Sequence, residues 1–178
     1  MANLEVQSRD QVSNQNQQIF DNLKSAVGFV PNLYSAYTHS ESALGDYLTF
    51  SQRKTSLSNK EKEIINLIVS EVNNCDYCKA AHTAISKMNG FSEEEILEIR
   101  SGRASFDSKF DALAVLVKNA SVNRSQADQT VIDSFFAAGY TKENLVDTIL
   151  LIGDKTISNY IFGLGKFDVD FPAAQEIG

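Results

Sequence analysis

Pro31 and Pro172 are the only prolines in this chain, and no proline interrupts the long interval between them. Proline removes a backbone donor and clashes with the preceding turn, so a proline-free stretch of this length leaves helices free to form. Strand signals are scarce, with no hairpin turn between alternating apolar runs. The expectation is an all-α fold. A chain of 178 residues can bury a sizeable core as one ordinary domain, so it needs no staple to fold.

Local signals divide the interval into helices. Ser58-Asn-Lys-Glu61 is a capping box, and behind it Ile64, Ile65, Leu67, Ile68 and Val72 recur at helical spacing, which predicts a helix over 59–73 that stops at Asn73-Asn74. A second helix should start at or next to Cys75 and run to Met88, with Gly90 near the left-handed position that ends many helices. Phe91-Ser92-Glu-Glu-Glu95-Ile96 then combines a capping box with a hydrophobic staple. The same order of glycine, aromatic residue and hydroxyl cap returns at Gly139-Tyr140-Thr141, which suggests an internal helical-hairpin repeat. Further helices are expected at 15–27, 32–53 with a break near His39-Ser40, 107–121, 128–138 and 142–163. Residues 1–13, polar and rich in Asn and Gln, read as a flexible arm, 14–167 as the helical domain, and 168–178 as a tail that wraps a neighbour.

Composition narrows the function. A net charge of −7 without a clustered basic surface argues against nucleic acid, and no apolar run is long enough to span a membrane. The N-terminal residues lack a basic start and an apolar core, so the expected setting is cytoplasmic and reducing. There a C-x-x-C points to redox catalysis or metal binding rather than to a structural disulfide.

Both cysteines and one of the two histidines fall in Cys75-Asp-Tyr-Cys78-Lys-Ala-Ala-His82. Spacings of three and four place all three side chains on one face of a helix, the parts of a dithiol/disulfide centre. Two nucleophiles are open on this argument: the helix dipole favours Cys75, and the neighbouring imidazole favours Cys78. As three ligands of a metal site the set is incomplete, because structural zinc sites usually draw a second pair from elsewhere and only His39 remains.

Glu63, eleven residues, Cys75-x-x-Cys78, three residues and His82 resembles the pattern of the alkylhydroperoxidase D-like proteins in the carboxymuconolactone decarboxylase superfamily. Leu57-Ser-Asn-Lys-Glu-Lys-Glu63, Asn74 before the first cysteine, Gly28-Phe-Val-Pro-Asn-Leu-Tyr34 and Asn159 are similar to its peroxidase-related branch, and the likeness extends over residues 15–167. The resemblance implies an alkylhydroperoxidase D-like helical bundle that forms homo-oligomers of two, three or six chains and uses no haem, flavin or metal cofactor. It also implies reduction of hydrogen peroxide or organic hydroperoxides, with Cys78 as peroxidatic thiol, Cys75 as resolving thiol, and His82 and Glu63 as a proton relay. Electrons would come from an external dithiol or thiol, such as lipoamide or a thioredoxin-like protein. One position departs: better-known members carry a histidine between the cysteines where this chain has Tyr77, a poor base at neutral pH.

Two other functions are weighed against this reading: a lyase of the carboxymuconolactone decarboxylase type on the same fold, and a redox-sensing interaction protein with a switchable dithiol. Among remaining residues, Glu71 is expected as a helix-end or interface charge and His39 as a capping or surface residue. Asn159 is open between a pocket role and an interhelical bond, and the aromatics from Phe20 to Phe50 read mainly as core or subunit contacts.

Overall fold

A computed structural model describes residues 1–177 of the chain, with 66% of residues helical and no strand among those described, as an all-α fold requires. A single 3-10 turn at Arg9–Gln11 precedes the helices α1 (Asn14–Val27), α2 (Asn32–Tyr37), α3 (Ala43–Ser51), α4 (Asn59–Val72), α5 (Asp76–Met88), α6 (Glu93–Ser101), α7 (Ser108–Val122), α8 (Gln129–Ala137) and α9 (Lys142–Gly165). The helix expected over 32–53 is two helices, α2 and α3, parted by the turn that contains His39 and Ser40. The chain divides into two compact units, Met1–Arg53 with Tyr160–Asp170, and Lys54–Asn159 with the segment from Phe171.

In the first unit, Phe20, Leu33, Tyr37 and Leu44 are buried, and Tyr37 stacks on Tyr47 with ring centroids 4.5 Å apart. Residues 1–13, expected as a loose arm, are tied down by specific bonds. Asn3 and Leu4 donate backbone N–H groups to the Gly165 carbonyl, and Gln7 exchanges hydrogen bonds with the Ser35 hydroxyl. His39 meets the Glu5 carbonyl at 2.9 Å and remains exposed.

The second unit is built around α4. Ile64, Ile65, Leu67, Ile68 and Val69 are all fully buried, so this helix is apolar on more than one face and is packed by α5, α6 and α7. Each such side chain contributes about 1.5–3 kcal/mol through burial. The capping boxes form as read: the Ser58 N–H donates to Glu61 at 2.7 Å, and the Ser92 N–H to Glu95 at 2.8 Å.

The two glycine-aromatic-hydroxyl segments also match in detail. Gly90 and Gly139 have φ of +83° and +92°, Phe91 and Tyr140 are buried, and Asn144 caps Thr141 as Glu95 caps Ser92. A Cβ at position 139 would meet nothing within 4 Å, so Gly139→Ala isolates the cost of the left-handed backbone. It is expected to lower stability by about 1–2 kcal/mol, read as a shift of the urea midpoint at unchanged slope.

α9 buries several polar side chains and leaves several apolar ones exposed. Thr148, Asp154, Lys155, Ser158 and Asn159 are buried, whereas Val146, Ile149 and Ile157 are 56%, 59% and 44% exposed. No helix of the described residues is long and apolar enough to cross a membrane.

The C-terminal segment, expected to wrap a neighbour, meets its own chain. Phe171 packs edge-on against Tyr77, and the Gln175 carbonyl accepts a hydrogen bond from Arg100.

Candidate active site

The two cysteines owe their placement to the corner between α4 and α5. Asn74 adopts φ +50°, a left-handed conformation that asparagine tolerates better than most residues. Around it the Asn74 N–H donates to the Glu71 carbonyl at 3.0 Å and the Cys75 N–H to the Ser70 carbonyl at 2.9 Å, the paired bonds of a Schellman motif. Cys75, the last residue of that motif, is also the N-cap of α5, and its Sγ accepts the Cys78 N–H at 3.3 Å. The two cysteines approach within 2.8 Å as free thiols, each 2% exposed.

Glu63 and His82 come together from neighbouring helices. His82 Nδ1 lies 2.8 Å from Glu63 Oε2, with the two side chains 12% and 8% exposed, and Asn66 Nδ2 donates to the other carboxylate oxygen at 3.0 Å. A ring that donates Nδ1–H to the carboxylate keeps Nε2 as its basic nitrogen. His82 lies one helical turn beyond Cys78, within electrostatic reach of it.

The environment separates the two thiols. The hydrogen bond from Cys75 lowers the Cys78 thiol below its ordinary value; burial opposes this, and the charges of Lys155 and His82 and the Asn159 amide add to it. Cys75 moves up, first through its hydrogen bond to Cys78, then through burial and the Cys78 charge. Coupled thiols this close do not both ionise readily, so the negative charge rests on Cys78. The dipole argument for Cys75 is outweighed because its sulfur already caps the helix and shares its proton with Cys78.

Asn159 performs both roles weighed for it. Its carbonyl accepts from Asn73 Nδ2 at 2.8 Å, its amide reaches the Ser70 hydroxyl at 3.4 Å, and it acts to lower both thiols. Glu71 is drawn away from the cysteines into an ion pair with Arg100 at 2.8 Å. Tyr77 is buried under Phe171. Lys155, which sequence reasoning did not single out, is 7% exposed and acts electrostatically on both Cys78 and Glu63. The sequence offered only the helical spacing of Lys155 with Thr148, Ser158 and Asn159; that this face turns inward is seen in the packing. Among the described residues no group of three or more His, Cys, Asp or Glu side chains is arranged to hold a metal ion.

Burial pushes the Glu63 carboxyl up, but His82, Asn66 and Lys155 together hold it below its ordinary value of 4.5. A depressed carboxyl contributes stability that is present above the unfolded value and lost as pH falls through the folded one. Glu63→Gln is therefore expected to flatten the acid side of the stability profile, measured by urea unfolding from neutral pH down through the carboxylate range. An unchanged acid slope would contradict this.

Residues 41–118, which contain Glu63, Cys75, Cys78 and His82, match the model of the carboxymuconolactone decarboxylase family. Over this segment the chain is similar to that family. Solved structures of similar fold include a peroxidase-related protein with an alkylhydroperoxidase core from Ralstonia eutropha JMP134, at TM-score 0.85 and 16% identity over 95% of this chain and 92% of that one. A peroxidase-related protein from Silicibacter sp. TM1040 follows at TM-score 0.79 and 16% identity, covering 98% and 92%. The debrominase Bmp8 in complex with 2,3,4-tribromopyrrole superimposes at TM-score 0.78 and 14% identity, covering 96% and 92%. The fold is thus that of the alkylhydroperoxidase D-like proteins. Among curated proteins no sequence matches the chain. Lys155 and Asn159 lie outside the matched segment, so α9 adds to the surroundings of the dithiol from beyond it.

Proposed function

We propose that the chain is a thiol-dependent peroxidase that reduces hydrogen peroxide or a small organic hydroperoxide through Cys78 and Cys75. The observation that carries this reading is the split between adjacent thiols, one lowered and one raised, beside a His82–Glu63 pair at 2.8 Å. His82 takes the Cys78 proton through Nε2, while Glu63 fixes the ring and stabilises the imidazolium. The Cys78 thiolate attacks the terminal peroxide oxygen; the S–O bond forms, the O–O bond breaks, and the alkoxide or hydroxide leaves with the proton held by His82. Cys78 becomes a sulfenic acid.

Oxidation removes the Cys78 charge that held Cys75 protonated, so Cys75 can lose its proton and attack the sulfenic sulfur, which releases water and forms the disulfide. An external dithiol, such as lipoamide or a thioredoxin-like protein, then returns both thiols. The cysteines are almost fully enclosed, which favours a small oxidant. Tyr77 leaves the relay with one histidine fewer than better-known relatives use. The exposed apolar residues of α9 suit contact with another copy of the chain in a homo-oligomer, and free buried thiols suit a cytoplasmic setting.

The test is peroxide consumption with dithiothreitol, dihydrolipoamide and reduced thioredoxin as donors, alongside thiol titration. One peroxide should remove two thiols and form one intramolecular disulfide, and at least one donor should sustain turnover. A disulfide that forms once and is recycled by no donor would make the dithiol a sensor. Activity on a carboxymuconolactone that survives replacement of both cysteines would make the chain a lyase. Debromination of a bromopyrrole without peroxide turnover would align it with the debrominase neighbour.

A further inference from the structure

Three cations are buried among the described residues: Lys79, Arg100 and Lys155. Lys79 pairs with Asp76 at 2.8 Å and Arg100 with Glu71 at 2.8 Å. Lys155, at 7% exposure, has no carboxylate within ion-pairing distance among the described residues. A buried ammonium without a counter-charge is strongly unfavourable, so its position calls for a negative partner. On α9, Lys155 stands one turn before Asn159, on the same inward face, and Asn159 hydrogen-bonds Asn73 and Ser70 at the corner that carries Cys75. The groups around Cys78 are Cys75 and His82 of α5 and Lys155 and Asn159 of α9, with Glu63 of α4 behind His82.

We propose that Lys155 is the counter-ion of the Cys78 thiolate, a positioning residue that holds the nucleophile in its reactive form. The charge balance supports it. Ionised Cys78 and Glu63 carry two negative charges, and with His82 engaged by Glu63 the cation left to face Cys78 is Lys155. Oxidation of Cys78 removes one of those charges and leaves the ammonium facing Glu63, so the electrostatics of the site alternate with its redox state. The use of this arrangement in turnover rests on the peroxidase reading, but the counter-ion role does not.

The test is the pH profile of Cys78 alkylation by iodoacetamide, located by mass spectrometry in the full chain. In the wild type the midpoint should lie below the ordinary thiol range. Lys155→Met should raise it by about one unit, so that alkylation at pH values below the wild-type midpoint falls about tenfold. Lys155→Arg should restore most of the reactivity, and Lys79→Met, which removes an already paired cation, should follow the wild type. A Lys155→Met profile that superimposes on the wild type in a folded protein overturns the proposal.

Should that variant fail to fold, isotope-labelled wild type decides. The Lys155 side-chain NMR signal must shift as Cys78 titrates, and a constant signal overturns the assignment. Peroxide turnover is measured separately. A shifted alkylation profile without turnover keeps Lys155 and removes the peroxidase reading, whereas turnover with superimposed profiles does the reverse.

Discussion

Cys78→Ser is expected to lower peroxide consumption by about three orders of magnitude or more, because the thiol that remains, Cys75, is buried and is not the lowered one of the pair. Cys75→Ala should behave differently. Cys78 would still react once and accumulate as a sulfenic acid that dimedone traps, but no intramolecular disulfide would follow. The same variant removes the hydrogen bond that most lowers the Cys78 thiol, so its reactivity should retreat toward higher pH. In the wild type the lowered thiol remains ionised as pH falls, until its folded value is passed. In Cys75→Ala that loss should begin at higher pH. A Cys78→Ser protein with full turnover would assign the nucleophile wrongly, and dimedone capture at Cys75 in the wild type would reverse the roles.

The second large effect lies outside the thiol chemistry. Arg100 is 1% exposed, and its partner Glu71 is 13% exposed at the end of α4, with the Gln175 carbonyl as the other acceptor on the guanidinium. Glu71→Leu leaves a buried guanidinium without its counter-charge and should cost about 3–5 kcal/mol. Replacing both residues by leucine removes the charge and the need for a partner together, so Glu71→Leu/Arg100→Leu should recover most of that loss. Urea unfolding of the wild type, both single variants and the double variant closes the cycle. Additive losses would mean that the pair is not coupled.

Much of the architecture was legible because its signals are local. Ser58 with Glu61, Ser92 with Glu95 and the run from Ile64 to Val69 need only neighbours within a turn or two to form what they spell. The break between α2 and α3 was visible at His39-Ser40 for the same reason. The arm was not legible: nothing in its polar composition says that Gln7 finds Ser35 or that Asn3 finds Gly165, since those partners come from distant parts of the chain.

The candidate site divides the same way. Cys75, Cys78 and His82 share a helical face that spacing alone reveals, and Glu63 joined them through resemblance to a family. Glu71 reads as a helix-end or interface charge and stands at the end of α4, but its partner Arg100, twenty-nine residues on, was not legible. Lys155 was passed over because a lysine in a long helix reads as a solvated charge, and only packing reveals that its face of α9 turns inward.

The corner at Asn74 also restricts how this chain can change. Because the Cys75 amide is bonded to the carbonyl of Ser70 and the Cys75 sulfur caps the next helix, the count of residues from Glu63 to Cys78 is fixed by the backbone itself. One residue inserted into the last turn of α4 would swing everything after it by roughly 100° and carry the dithiol away from the carboxylate that orients His82. Substitutions can drift through this stretch, but its length cannot.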